Sequence, residues 1–437
     1  MSVSCCDPVV KSKRGDSKSV TTSVDDLPEV ALVEILCRLP SCKFVVQCKC
    51  VSKRWCNVLS DHYMIGRFLW VKLEKIAPIV TRTSPVVNSN FGRQLFTAEV
   101  FGRLRSLLGL TKNPLVLATW NDLALCSADR YHRPSYFICN PRTMHLVTLP
   151  PVPRCDRRQP VGFICEPYYY KEDRSDIGVQ NLRQVVKFNG EFRFKVVRIL
   201  LPDKPRKTCF KFKIQVFSSE IGEWRESVVP CPRGCPSCDI SVNGFAGNGM
   251  LYWNADYGIL VLGPFTNAAD DHGYQFHVIW TFMDKFTPVC LGVYEGCLLF
   301  YDYCSSSENP IFELCIWKLT EEELNQMAVD GGGKLGRNHK KHYLNLMFLM
   351  DLDSDNDLDL SDADVFGFKP TNLDIFYVRL GEAYFKGNIR TGWLSEVDVK
   401  SYHDECSLCD VSSKIFRSLL PWPTPVPRLP ERVDGLN

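Results

Sequence analysis

Beyond residue 113 the chain is cut into short hydrophobic runs by polar turns, and this spacing constrains its fold more than any other feature. "CNPRT" (139–143), "VFSSEIGEW" (216–224), "VLGPFTN" (261–267), "IWKLTEE" (316–322) and "GNIRTGW" (387–393) occupy comparable places, each beside a run rich in β-branched and aromatic residues. Runs this short read as strands, and a long series of them makes a sandwich, a barrel or a propeller. Gaps of roughly 45 to 80 residues separate the turns, which matches one or sometimes two propeller blades of about 40 to 50 residues each. A large mainly-β, β-propeller-like domain is therefore expected, with an irregular sandwich as the alternative.

Upstream the period changes. From Asp25 to about Trp70 the apolar residues follow helical spacing: Asp26 is the expected N-cap, Pro28 lies in the first turn, and Val30, Val33, Ile35, Leu36 and Leu39 recur every three to four residues. Pro40 is expected to end that helix, because the residue before a proline is pushed out of the α region. "SCKFVVQCKC" predicts a second helix capped by Ser41, and "KRWCNVL" and "DHYMIGRFLW" follow after a break near Ser52. With Leu27, Leu32, Phe44, Val45, Val46, Val51, Trp55, Val58 and Leu59 added, the segment holds more apolar surface than three short helices can bury among themselves, which implies a partner. Residues 1–22 are polar and basic and are expected to be a disordered tail, while 71–112 read as linker, with "RLRSLLGL" as a stray helix or strand.

Composition excludes several classes. The chain has 437 residues, 45% of them hydrophobic, and 52 Lys and Arg against 50 Asp and Glu leave a formal charge of only +2, so no overall field draws a polyanion. No stretch of about eighteen apolar residues and no secretory leader is expected, which predicts a cytoplasmic or nuclear protein. "KSKR" at Lys11 to Arg14 fits a nuclear import signal or a plain solvated tail. In a reducing compartment most of the 21 cysteines are expected as buried thiols.

"LPEVALVEILCRLP" followed by "CKCVSKRWCNVLSD" resembles the F-box, the helical module of substrate-recruiting subunits in SCF-type ubiquitin ligases. The matching positions are Leu27, Pro28, Glu34, Ile35, Leu36, Leu39, Pro40, Cys50, Val51, Ser52, Lys53, Trp55, Leu59 and Asp61. Ten residues separate Pro40 from Val51, one more than the commonest form, which leaves open whether Phe44, Val45 or Val46 makes the mid-helix contact. Further on, "ICNPRTMHLVTLPPVP", "FKVVRIL", "NGMLYWNADYGILVLGP", "LGVYEGCLLFYDY", "VFGFKPTNLDIFYVR" and "LPWPTPVPRL" together resemble the plant F-box-associated, kelch-like or β-propeller-like domain.

The resemblance implies a multidomain chain: a small all-α F-box of three short helices at 23–70, the linker, an F-box-associated β domain at 113–425 and a C-terminal tail at 426–437. It implies a non-catalytic substrate adaptor without cofactor, binding a Skp-type linker subunit, and through it a cullin, by Leu27, Pro28, Ile35, Leu36, Leu39, Pro40, Val51 and Trp55. Trp55 and Leu59 are expected chiefly to hold the helices together. The β domain would hold an unidentified protein target, with neither nucleic acid nor membrane as partner. A non-ligase scaffold is the alternative, with a propeller enzyme or metal protein behind it.

Other chemistry is thin. "DLDSDNDLDLSD" (351–362) sets Asp351, Asp353 and Asp355 at calcium-loop spacing, but Asn356 stands where Gly is preferred and Asp362 where a bidentate Glu is wanted, so a solvated acidic insertion is expected. Cys231, Cys235 and Cys238, with His403, Cys406 and Cys409, have zinc-ligand types in two distant clusters and are expected as unliganded thiols and imidazole. "GGGKLG" and "NGFAGNG" lack phosphate-loop context and read as turns. Trp224, Trp253, Trp317 and Trp393 are expected to cover junctions between blades, and "EPYYYKEDRSD" (166–176) is a candidate target-contacting loop, or else a solvated one.

Overall fold

The computed structural model describes residues 27–73, 87–88, 96–128, 135–153, 159–172, 185–202, 208–235, 240–241, 243–255, 258–263, 274–280, 289–294, 297–306, 309–329, 333–334, 340–345, 364–369, 372–380, 383–388, 390–396 and 423–430. It divides into two compact units, residues 1–68 and 69–437. Asp26, the acidic stretch 351–362, Cys238 and His403 to Cys409 lie outside the described residues.

The first unit is helical: α1 (Glu29–Leu36), α2 (Cys42–Cys48), α3 (Lys53–Ser60) and the start of α4 (His62–Leu73), which runs past the unit's boundary, four helices where three were expected. Pro28 stands at the N-cap of α1 rather than inside its first turn, where its fixed φ costs no hydrogen bond. The helix stops at Leu36, before Pro40 can act on it. The amides of Arg38 and Leu39 instead donate to the carbonyls of Ile35 and Leu36 at 3.1 and 3.2 Å, tightening the end into a turn. Ser52 caps α3, its Oγ accepting from the Trp55 amide at 3.2 Å, and Asp61 Oδ1 accepts from the Tyr63 amide at 2.6 Å to open α4. Leu32, Val45, Leu59, Met64 and Phe68 are fully buried, each contributing about 1.5–3 kcal/mol of burial.

The second unit opens with the short strand β1 (Val87–Asn88) and the helix α5 (Ala98–Leu108), capped by Thr97 and stopped by Gly109 at φ +64°. Five antiparallel meanders of four strands follow among the described residues. The first blade is β2 (Leu115–Trp120), β3 (Leu123–Ser127), β4 (Tyr136–Asn140) and β5 (His145–Thr148). The second begins with β6 (Val161–Cys165), then sends out a hairpin of β7 (Tyr169–Glu172) and β8 (Val185–Phe188) before β9 (Phe194–Leu200), β10 (Cys209–Ser218) and β11 (Glu223–Cys235) complete it.

The third blade is β12 (Phe245–Gly247), β13 (Met250–Ala255), β14 (Gly258–Leu262) and β15 (Phe276–Trp280). The fourth is β16 (Val289–Tyr294), β17 (Cys297–Ser306) and β18 (Asn309–Leu319), then, past helix α6 (Glu321–Val329) and the short β19 (Gly333–Lys334), the strand β20 (Lys340–Asn345). β19 pairs onto the outer strand of the third blade, and β1 onto the inner strand of the fourth. The fifth is β21 (Asp364–Lys369), β22 (Asn372–Leu380), β23 (Ala383–Asn388) and β24 (Trp393–Glu396).

Each of the five turn segments singled out in the sequence follows the third strand of a different blade: β4, β10, β14, β18 and β23. In the first and fifth blades the turn has one chemistry. Asn140 Oδ1 accepts from the Arg142 amide at 2.8 Å, and Asn388 Oδ1 from the Arg390 amide at 2.9 Å, so the asparagine side chain replaces a backbone acceptor and reverses the chain.

Strands buried on both faces explain the near-continuous hydrophobic runs. In the first blade Leu123, Leu125 and Ile138 face a core shared with the second and third blades, while Ala124, Cys126, Phe137 and Cys139 face Phe96 and Leu104 of the α5 region. Residues 96–108, assigned to the linker from sequence, are therefore part of the β unit, because α5 covers one face of its first sheet. Val426 and Leu429, assigned from sequence to the C-terminal tail at 426–437, pack against the shared core. Trp224 donates its indole N–H to the Pro150 carbonyl at 3.0 Å and lies 6.0 Å from the Tyr136 ring of the first blade, and Trp253 sits against Gly162 of the second. Trp317 packs on the core between the third and fourth blades, whereas Trp393 is 59% exposed and covers no junction.

Candidate partner-docking site

Six of the eleven exposed large apolar residues described, Val30, Ile35, Phe44, Val46, Val51 and Tyr63, lie on the helical unit. That concentration follows from the helix period. α1 buries Leu32, Val33 and Leu36, which turns Val30 and Ile35 outward. α2 is only two turns long and buries Val45 alone, which leaves its neighbours Phe44 and Val46 in solvent. Val45 thus takes the inward mid-helix position.

Of the residues expected to bind a partner, Ile35 and Val51 are 52% and 62% exposed, Pro28 and Pro40 are exposed, and Leu27, Leu39 and Trp55 are half-buried. Leu36 is placed differently: at 2% exposure it belongs to the unit's own core. Phe44 and Val46, left open with Val45 as the mid-helix contact, are the exposed members of the run "FVV", in which Val45 satisfies the core and the others are surplus. Val30, counted only in the apolar surplus, is also exposed.

Polar ties hold the unit in this arrangement. The Arg54 guanidinium donates to the Leu27 carbonyl, fastening the start of α1 to α3. Arg67 grips Glu34 with two bonds of 2.7 and 3.2 Å, joining α1 to α4, and this hydrogen bond holds the Glu34 carboxyl below its ordinary value. A carboxyl with a depressed folded pKa stabilises fully above its unfolded value, and that contribution is lost as pH falls through the folded one. Both groups are more than a third exposed, so the pair is worth below about 1 kcal/mol. Glu34→Gln in the full chain is expected to lower the melting temperature slightly at pH 7 and not at all near pH 3; an equal loss at both values would show that the charge is irrelevant.

Among the described residues there is no group of three His, Cys, Asp or Glu able to grip a metal. Cys231 and Cys235 are buried in β11, and burial pushes the Cys231 thiol up to about 12, which keeps it protonated. "NGFAGNG", read as a turn from sequence, contains the strand β12 before its turn, and no described helix is long and apolar enough to cross a membrane. The described part of "EPYYYKEDRSD" forms the base of the β7–β8 hairpin. There Arg193 Nε donates to Glu166 Oε1 at 2.8 Å and the Tyr168 ring packs edge-on to Phe188 and Phe192.

A helical module with a surplus of outward apolar residues, preceding a propeller-like array of meanders, defines the class of F-box propeller proteins. The F-box domain model matches residues 24–64, and the model for "F-box protein At3g26010-like, beta-propeller" matches residues 110–335, just over half of the chain. The chain belongs to that family. Two Arabidopsis thaliana chains described as F-box proteins are similar to it. At3g52320 is 35% identical over 68 residues, 16% of this chain and 17% of that one. At1g47765 is 30% identical over 164 residues, 36% and 38% respectively. The chain thus spans well under half the length of these curated relatives. Among solved structures, a prolyl endopeptidase chain aligns with 75% of this chain and 60% of its own at 9% identity and a TM-score of 0.23.

Proposed function

We propose that the protein is a substrate-recruiting adaptor of an SCF-type ubiquitin ligase: its F-box docks on a Skp-type linker subunit, and its propeller holds a protein target. The observation that carries this reading is the outward apolar surface of the helical unit, Val30, Ile35, Phe44, Val46 and Val51 beside Pro28 and Pro40. Isolated in water these residues contribute nothing; covered by a partner, each recovers about 1.5–3 kcal/mol before association costs are subtracted. Leu27, Leu39 and Trp55 present their exposed parts to the same partner, while Leu36 acts from below as support.

The mechanism is proximity. Fixing a target beside a conjugating enzyme replaces a bimolecular encounter with one at high effective concentration, so the adaptor needs no catalytic group of its own. The test is direct binding of the purified full chain to a purified Skp-type linker subunit by calorimetry. Submicromolar, one-to-one association is expected, and no detectable association would overturn the reading.

A further inference from the structure

Residues 423–430, "PTPVPRLP", form a strap against the first two blades. Thr424 and Pro427 are buried, Pro423, Pro425, Val426 and Leu429 are half-buried, and Arg428 and Pro430 are exposed. Prolines at 423, 425, 427 and 430 favour the extended polyproline II conformation before any contact is made. The strap belongs to no sheet, so no ladder hydrogen bonds hold it.

What holds it is a pair of side chains on the turns of the first blade. Asp122, in the β2–β3 turn, accepts the Thr424 amide at 3.0 Å, and Asn140 Nδ2 donates to the Thr424 carbonyl. Asp122 and Asn140 are both fully buried and bond to each other at 3.0 Å, with Arg142 Nη1 at 3.6 Å from Asp122. Asn140 is fixed independently of the strap, because its Oδ1 already caps its own turn. At the other end the Pro430 ring lies over Gly222 in the β10–β11 turn of the second blade, within 3.4 Å of where a Cβ would stand. The grip is therefore preformed on the blades, and it reads one peptide unit plus a proline-spaced apolar face. A buried carboxylate in such a grip demands a donor: without one it loses a charged hydrogen bond while staying out of water.

We propose that this face of the first two blades is a binding site for extended, proline-spaced peptides, and that residues 423–430 are its resident occupant. A peptide of this kind binds in trans only when the strap is displaced, so the strap sets access to the site. Proline-rich segments suit this exchange, since their conformation is largely set beforehand and little ordering entropy is lost.

The test uses the full chain with Thr424→Pro, which deletes the amide that Asp122 accepts and so loosens the strap's hold on the site without shortening the chain. The probe is a fluorescent synthetic peptide with the sequence of residues 421–432. The variant is expected to bind it at least about tenfold more tightly than the wild type, the factor that a hydrogen bond to a charged group carries, and not to bind a scrambled peptide. If the variant is insoluble alone, co-expression with the wild-type segment as a separate peptide is expected to restore a soluble complex. Failure of the variant either to bind the peptide or to be rescued by it would overturn the proposal, as would equal binding by the wild type.

Discussion

The full chain carrying Ile35→Asp and Val51→Asp is expected to lose affinity for a Skp-type linker by at least about a hundredfold while its melting temperature barely moves. Both residues are more than half exposed and neither belongs to the helical core, so substitution there costs within about 0.5 kcal/mol of stability each. At an apolar interface the same carboxylates would be buried without partners, at several kcal/mol in total. The comparison that separates docking from folding is Leu59→Ala. Leu59 is fully buried, its truncation costs about 2–5 kcal/mol, and any loss of binding would then come with a loss of helical structure. Linker affinity by calorimetry, read against thermal melts by circular dichroism, checks the prediction. Unchanged affinity in the double aspartate variant would sink the proposed docking site.

The second large effect is expected in the propeller, at Trp253. Its side chain is fully buried, and Gly162 of the second blade and Gly244 before the third lie so close that a Cβ would stand 2.7 and 2.5 Å from the indole. The two glycines are the reason a tryptophan fits at this junction. Trp253→Ala should cost about 3–5 kcal/mol, and Gly162→Ala about 1–3 kcal/mol by overpacking. The pair should not add. Without the indole, the methyl at 162 enters the space the ring has left, so the double variant should be more stable than the sum of the single losses implies. Chemical denaturation of the four proteins measures the coupling, and strict additivity would show that the glycines and the ring do not constrain each other.

Much of this architecture was legible from local chemistry. Asn140 and Asn388 reverse the chain by bonding to amides two residues on, an interaction with no partner beyond the turn, and the segments that contain them mark the same step in two blades. The helical module was legible from its apolar period, and the break expected near Ser52 is where that residue caps α3, whereas Pro28 stands at the N-cap of α1 and Ser41 makes no side-chain cap for α2. Ile35 and Val51, expected as contacts from the family resemblance, stand exposed.

The errors fall where the deciding contact is distant. Leu36 has the same periodic credentials as Ile35, but only the packing of α1 shows which of two adjacent aliphatic residues points inward. Residues 96–108 read as linker because α5 is short and isolated in sequence; the sheet face it covers belongs to strands that begin later in the chain. Trp393 shares its place beside a turn with Trp224, yet only Trp224 finds a carbonyl and a ring from a neighbouring blade.

By itself, then, the sequence determined the classes of element and their punctuation: a helical apolar period, then a series of short strands, and the turns between them, all set by interactions spanning a few residues. Tertiary structure alone decided which apolar residues remain outside and where the last residues go. Thr424 meets Asp122 and Asn140 across 302 and 284 residues of chain, and no local periodicity encodes a partner at that distance. The strap is held by a buried carboxylate oxygen and an amide that meet Thr424 only when the whole chain has folded.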